Sequence, residues 1–586
     1  MSRKSYRNGR RVKTSPKYSR LDALRIFFIF LGVIMVGRLF VIQVLHNNYY
    51  EALALDTHRL YKKLVPERGE ILVQDKYSDS GQSTIATNND LAEVHAEPIH
   101  ITDPQATAEA LSPLLNITVE DLLLKLDKPD DTDEILKRRV PEEVVEAIEE
   151  LQLPGIKFVH EQWRYYPEGE STAHITGYFG YSDDDRVGQY GVEGFFNEEL
   201  SGDPGFINAE KDAFGRFLTI SDSLVDNAKD GTDLVLTIDK NIQFYACDKL
   251  KTAVDKYGAK GGTVAIMNPQ TGAIIAMCNY PSYDPNHYNE VDAIEVFNND
   301  AISREYEPGS VFKAFTIAAG LDMGVIQANS TYVDKGEVKI DKYTIKNSDS
   351  KAHGTQTMTA VLEKSLNTGT IHVATLLGKE AFYQYVVNFG FGEYTDIELA
   401  AEHNGNISEL AKLKDIYSAT ASFGQGITVT PLQLLVGYGA LANNGTLMKP
   451  YIVDRVLKPF DEVDVTEPQA IREVVTPNTA RIVSAMLVNV IDSGHATKAE
   501  VPGYFMAGKT GTAQVVADDG TYSATRHNDT FVGYGPTSDP QFVMLIKFEE
   551  PTNVQWSADS AAPLWGEIAQ YLVQYYQIPP DREITL

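Results

Sequence analysis

Wound as a helix, the stretch from Glu307 to Gly324, EPGSVFKAFTIAAGLDMG, is apolar on nearly every face. A helix without a polar stripe belongs inside a core, so the rest of the chain has to enclose it. Pro308-Gly309 punctuates the approach, and Phe312, Ala314, Phe315, Ala318, Ala319 and Leu321 are helix formers or bulky apolars. Ser310 and Lys313 stand three apart and therefore share one face of the first turn. Apolar surroundings strip a lysine of hydration and lower its pKa, so a neutral amine is available to take the serine's proton. The same pattern also describes an N-capping serine with a surface lysine, and S-x-x-K alone assigns nothing. Its meaning depends on what lies downstream.

At 586 residues the chain is too long for one core, so two or more domains are expected. Hydrophobic content of 43% and charged content of 23% are those of a folded protein. A net charge of -29 argues against a nucleic-acid partner. Cys247 and Cys278 form no C-x-x-C and each sits in an apolar run, so buried free thiols are expected rather than a disulfide framework or thiolate metal site. With no H-E-x-x-H and only scattered histidines, neither a metal site nor a cofactor is expected.

Residues 1–25 form a basic tail, with Arg3, Lys4, Arg7, Arg10 and Arg11 among its cations and Asp22 its one acid. Ile26 to Leu45 then supplies about the 20 apolar residues that a bilayer core requires. Arg38 interrupts the run toward its far end, where a long side chain can snorkel outward. The basic flank predicts a cytoplasmic N-terminus with everything after Leu45 outside. A cleaved signal peptide is the competing reading, but the run is long and no small-x-small cleavage site follows. A single-pass anchor over 26–45 is expected.

From 46 to 230 the pattern is mixed. β-like runs (Glu70 to Val73, Glu93 to Ala96) alternate with acidic helical stretches such as Val140 to Leu151, and no chemistry-bearing pattern appears. A stalk or partner-docking module is expected there. Over 231–586, DLVLTID reads as a strand, Lys240 to Tyr257 as a helix, and Gly262 to Cys278 as two strands around a Pro-Gln-Thr-Gly turn. A long helical middle follows, then strand-like Phe531 to Tyr534 and Gln541 to Lys547. A final helix, Leu564 to Tyr576, carries Leu564, Ile568, Leu572 and Tyr575 on one stripe, with no appended repeat expected after it. This order predicts an α+β fold, an antiparallel sheet carrying helices.

Two further short segments stand out. SLNTG places Ser365 and Asn367 two apart, where a turn can aim a hydroxyl and an amide at one place; alone it is an ordinary cap or turn. AGKTGTAQVV reads as a strand, and Lys509, Thr510 and Thr512, expected on one face of it, offer charge and hydroxyl donors suited to a carboxylate. Gly511 is expected to leave room for a substrate backbone. Gly503 to Thr510 also matches the phosphate-binding pattern G-x-x-x-x-G-K-[ST]. Its context is wrong: Tyr504, Phe505 and Met506 fill the loop, and Gly511, Thr512, Val515 and Val516 follow where a helix should begin. The nucleotide reading is set aside.

S-x-x-K, then S-x-N, then K-T-G, in that order, resembles the signature of penicillin-binding proteins and serine β-lactamases. The chain around it is similar to class B penicillin-binding proteins over nearly its whole length: RLFVIQVL, Pro66 to Ile71, Tyr190 to Glu193, LTIDKNIQ, TGAIIAM, SFGQGITVTPLQL and Gly508 to Gln514. Departures are the VQDKYSDSG continuation of the stalk motif and Leu366 in place of a more usual Ser. The resemblance implies a membrane anchor, a non-catalytic pedestal of the dimerisation type and a penicillin-binding/β-lactamase-like transpeptidase domain. It implies that Ser310 attacks the carbonyl between two D-alanines of a peptidoglycan stem peptide, with Lys313 as base. Ser365 would relay a proton to the leaving amine, and Asn367 would contact substrate and hold Lys313. Lys509, Thr510 and Thr512 would hold the terminal carboxylate, and the N–H groups of Ser310 and Thr512 would form the oxyanion hole. An amine acceptor would complete the crosslink, and a β-lactam would acylate the same serine. The septal branch is expected, with a polytopic glycosyltransferase among its partners. An elongation enzyme, a D,D-carboxypeptidase, and a non-enzymatic β-lactam sensor or scaffold remain as alternatives. A deacylating base, several membrane spans, or an acidic glycosyltransferase motif would mark a β-lactamase, a sensor or a bifunctional enzyme, and none is identified.

Overall fold

The computed structural model describes residues 59–182, 185–210, 224–458, 462–516 and 521–583, with Gly32 and Met35. Apart from those two positions, the expected anchor lies outside the described residues. Among the described residues no helix is long and apolar enough to cross a membrane. The chain divides into two compact units, Met1–Pro66 with Asp203–Lys229, and Glu67–Gly202 with Asp230–Leu586. In the first, Gly205–Glu210 is the central strand of an antiparallel sheet, between Arg59–Leu64 and Leu224–Asp226.

The second unit holds the three chemistry-bearing segments. Its elements are α1 (Lys240–Tyr257), β1 (Gly261–Met267), β2 (Ile274–Tyr280), α2 (Lys313–Asp322), α3 (Asn367–Leu377), α4 (Pro431–Ala442), α5 (Pro477–Asp492), β3 (Ala507–Val516), β4 (Tyr522–Gly535), β5 (Phe542–Glu549) and α6 (Ala561–Tyr575). The five strands form one antiparallel sheet in the order β2-β1-β5-β4-β3. Every residue of β1 and β5 is buried, so these strands read as continuous apolar runs: both faces are covered. The register shows by what. Gly262 and its pairing partner Phe548 lie on the face where Leu250 and Val254 of α1 approach. Met267 and Val543, paired on the opposite face, abut Gly439 of α4. Leu564, Ile568, Leu572 and Tyr575 of α6 are all buried, as their spacing predicts, and the Trp565 indole donates to the Met544 carbonyl.

α2 is the enclosed helix. Lys313 to Gly320 are buried without exception, and Phe312 and Phe315 meet Phe389, Phe391 and Tyr438 in tilted and edge-to-face contacts. The α-helix itself starts at Lys313 and not at Ser310, because Gly309–Phe312 forms a tighter 3₁₀ turn ahead of it. Over α4, Thr430 and Gln433 make a capping box and Pro431 takes the first turn, which is what TPLQ encodes.

A second, seven-stranded sheet runs Glu462–Val465, Val453–Lys458, Asp233–Asp239, Ile71–Gln74, Gln82–Ala96, Glu134–Val140, with Ile156–Tyr165 also paired to Gln82–Ala96. Only Asp233–Asp239 with Ile71–Gln74 is parallel. The acidic stretch is helical over Glu142–Glu149. Two segments of the family resemblance meet beneath this sheet. Fully buried Glu193 takes Arg68 Nε at 2.7 Å on one oxygen and Arg164 Nε at 2.6 Å on the other.

One expectation is corrected. Cys247 of α1 and Cys278 of β2 are joined in a disulfide, with Cα atoms 5.4 Å apart. A helix and a strand bring together cysteines 31 positions apart, a spacing that carries no signature, and apolar flanks suit a bridge as well as a thiol.

Candidate active site

The turn carrying Ser310 is held from three sides. Gly309 takes φ of +59°, and its N–H donates to the Gly424 carbonyl at 3.0 Å. A Cβ on Gly424 would lie 2.2 Å from the Gly309 oxygen, so only glycine lets the two backbones meet. Around this contact Thr316 donates to the Ser422 carbonyl at 2.8 Å and the Gly426 N–H to Glu307 at 2.9 Å. The SFGQGI stretch is thus a brace for the nucleophile's turn. From α4, the Tyr438 hydroxyl donates to the Val311 carbonyl at 2.7 Å.

The third side is β3, the edge strand bearing Lys509 to Thr512. A Cβ on Gly511 would lie 2.9 Å from the Pro308 oxygen and 3.2 Å from the Val311 nitrogen. The space beside Gly511 is therefore filled by the serine turn, and not left for a substrate backbone as the sequence suggests. Period-two alternation puts Lys509 on this same inner face and Thr510 and Thr512 on the other, so lysine and threonines do not share a face. The strand runs on from Thr510 through Val516, where a phosphate-binding loop would need a helix to begin.

Lys313 and Lys509 are both fully buried, and neither has a carboxylate partner among the described residues. Lys313 Nζ donates to the Ser365 carbonyl at 2.6 Å and to its hydroxyl at 3.1 Å. Lys509 Nζ donates to that same hydroxyl at 3.1 Å, from the other segment. One serine oxygen thus joins two buried amines. Ser365 achieves this at φ of +54°, a left-handed conformation that costs a non-glycine residue roughly 1 kcal/mol or more and that the surroundings must impose. Burial lowers the Lys313 pKa far below the lysine range, and the nearby Lys509 charge adds to the effect. Burial brings Lys509 down to about 7.

The remaining expected residues are placed as follows. Ser310 lines two grooves, of about 1130 Å³ and 530 Å³, and Thr512 lines both with it. Among the described residues the Ser310 hydroxyl has no hydrogen-bond partner; such bonds often tighten only once substrate is bound. Asn367 does not hold Lys313. It opens α3, and its side-chain amide donates to the Lys346 carbonyl at 2.9 Å, facing the larger groove. Thr512 accepts from the Ser557 N–H and donates to the Ser557 hydroxyl, both at 3.1 Å.

Two residues at the site escape sequence reasoning. Ser557 lies beyond the last strand with no pattern around it. His495 sits on the smaller groove: its Nε2 is 3.1 Å from Lys509 Nζ and in hydrogen-bond contact with Thr510 Oγ1.

Residues 262–570 match the family model described as the penicillin binding protein transpeptidase domain, and residues 63–236 match the penicillin-binding protein dimerisation domain. The chain belongs to the class B penicillin-binding proteins. This penicillin-binding protein is 31% identical to stage V sporulation protein D of Bacillus subtilis, over 95% of its own length and 86% of that relative's. It is also 31% identical to the peptidoglycan D,D-transpeptidase FtsI of Escherichia coli K12, over 81% of this chain and 78% of FtsI. Among solved structures, penicillin-binding protein 3 of Mycobacterium tuberculosis in its apo form superposes with a TM-score of 0.68 at 25% identity, covering 90% of this chain and 99% of that one. Penicillin-binding protein 2X of Streptococcus thermophilus gives 0.75 at 20% identity over 88% and 80%, a likeness of fold.

Proposed function

We propose that this penicillin-binding protein is a peptidoglycan D,D-transpeptidase that forms an acyl-enzyme on Ser310 and passes the acyl group to an amine. The observation that carries the reading is the meeting of two buried lysines, from segments far apart in sequence, on one serine hydroxyl beside Ser310's groove. Lys313, neutral because burial and the Lys509 charge disfavour its protonation, takes the proton of Ser310. Ser310 Oγ bonds to the carbonyl carbon between two D-alanines, and the oxyanion is met by the N–H groups of Ser310 and Thr512. A donor of this kind is typically worth ~3 to 4 kcal/mol in the transition state. Lys509, Thr510 and Thr512 hold the terminal carboxylate. The C–N bond then breaks, Ser365 passes a proton to the departing amine, and D-alanine leaves. An acceptor amine attacks the ester, the new amide forms, and Ser310 recovers its proton. A β-lactam enters by the same attack, but its leaving nitrogen stays tethered and blocks the acceptor.

The compact chain and the SFGQGI stretch resemble the septal branch of the family, and on that likeness septal synthesis is preferred to elongation. Residues 26–45 would anchor the chain with its N-terminus in the cytoplasm, residues 46–230 would form a non-catalytic pedestal, and 231–586 the transpeptidase domain. The Cys247–Cys278 disulfide supports an oxidising, extracytoplasmic setting for that last part. Anchor and pedestal would dock a polytopic glycosyltransferase.

The test is product analysis with the full-length protein in detergent, given a stem-pentapeptide donor and an amine acceptor. An amide-linked dimer with released D-alanine, both lost in Ser310→Ala, is expected. Hydrolysed donor without dimer would make it a carboxypeptidase, and no turnover of either kind would remove the reading.

A further inference from the structure

His495 carries the geometry of a residue with a task. Its Nδ1 lies 2.6 Å from the Glu363 carbonyl, a contact only Nδ1–H can make. In the neutral ring the lone pair is then on Nε2, which faces Lys509 Nζ at 3.1 Å and the Thr510 hydroxyl. A proton on Nε2 would set two cations side by side with no carboxylate between them, and burial and the Lys509 charge accordingly push the His495 pKa down. Lys509 Nζ reaches the Ser365 hydroxyl, His495 Nε2 and the Thr510 carbonyl, each at 3.1 Å, and the Thr510 hydroxyl at 3.4 Å. The imidazole is the only one of these contributed from outside the three motif segments. It is also open to the smaller groove, where Ser310, Thr510 and Thr512 converge, whereas Lys509 is not exposed at all.

We propose that His495 is a positioning residue, a neutral acceptor that ties the Thr510 hydroxyl on the groove wall to the Lys509 ammonium buried behind it and so presets the site for a carboxylate. The inference rests on the transpeptidase reading and deepens it by locating what orients the carboxylate-binding strand. One lone pair serves two donors. When a ligand carboxylate arrives, it supplies the acceptors that the pair was sharing, and neither group has to be reoriented.

Benzylpenicillin and its methyl ester separate this role from a general structural one, because they share the reactive ring and differ only in the carboxylate. Acylation rate constants are measured for both compounds with full-length protein, His495→Ala and His495→Gln. The acid-to-ester preference is expected to fall about tenfold or more in His495→Ala and to return largely in His495→Gln, whose side-chain oxygen can accept in place of Nε2. Should His495→Ala not fold, His495→Phe deletes the acceptor while keeping the ring's volume. Equal losses for acid and ester, an unchanged preference, or a loss that Gln does not restore would overturn the proposal. Acylation of the unsubstituted protein tests the transpeptidase reading separately.

Discussion

Lys313→Met lowers the rate of acylation by benzylpenicillin by roughly 10²–10⁴-fold, the range that a positioned general base supplies. Methionine keeps the volume of a fully buried side chain and removes only the amine, so packing around α2 is retained and the loss reads on chemistry. The same amine sets the pH dependence. A base works unprotonated, so the rate is lost as pH falls through the Lys313 pKa, which burial and Lys509 hold far below the ordinary lysine range. Lys509 works charged and titrates at about 7, so carboxylate capture weakens as pH rises beyond that value. A bell-shaped profile of acylation against pH is expected, with its acid limb absent in Lys313→Met. A rate that climbed only above the normal lysine pKa would contradict the account.

Glu193→Ala carries the largest expected cost in stability. The carboxylate is fully buried between Arg68 and Arg164, and the Tyr166 hydroxyl donates to it at 3.2 Å. Burial alone would raise its pKa, but the two guanidiniums outweigh that and lower it. Deleting the acid leaves two buried cations facing each other, a loss of about 3 to 5 kcal/mol for a broken buried pair. Chemical denaturation followed by fluorescence should show unfolding shifted to lower denaturant, with Glu193→Gln intermediate. An unshifted transition would mean that the arginines find water or other partners.

What the sequence made legible follows from locality. α1 begins and ends where the periodicity of Lys240 to Tyr257 says it should, since Asp239 caps its start and Gly258 its end. The stripe on α6 and the strand character of Ala507–Val516 were equally readable, because each depends on neighbours in the chain. The three motif segments could be named for the same reason. Their mutual geometry could not. Which face of β3 carries Lys509 depends on the serine turn packing against Gly511, and where Asn367 points depends on the paired strands Glu337–Ile340 and Tyr343–Lys346, the second of which ends at Lys346. His495 is a lone histidine in a loop, 14 residues before its lysine partner, and no periodicity marks it. The disulfide escaped because it is a tertiary fact about a helix and an edge strand. The role of SFGQGI as a brace likewise appears only when Gly424 is seen against Gly309.

The most direct test of the whole account is to treat the full-length protein with benzylpenicillin and map the covalent product by mass spectrometry of its peptides. Convergence of the three segments on one nucleophile predicts a single penicilloyl group, on Ser310, and none in Ser310→Ala. Label on any other side chain, or an unlabelled protein, would contradict it.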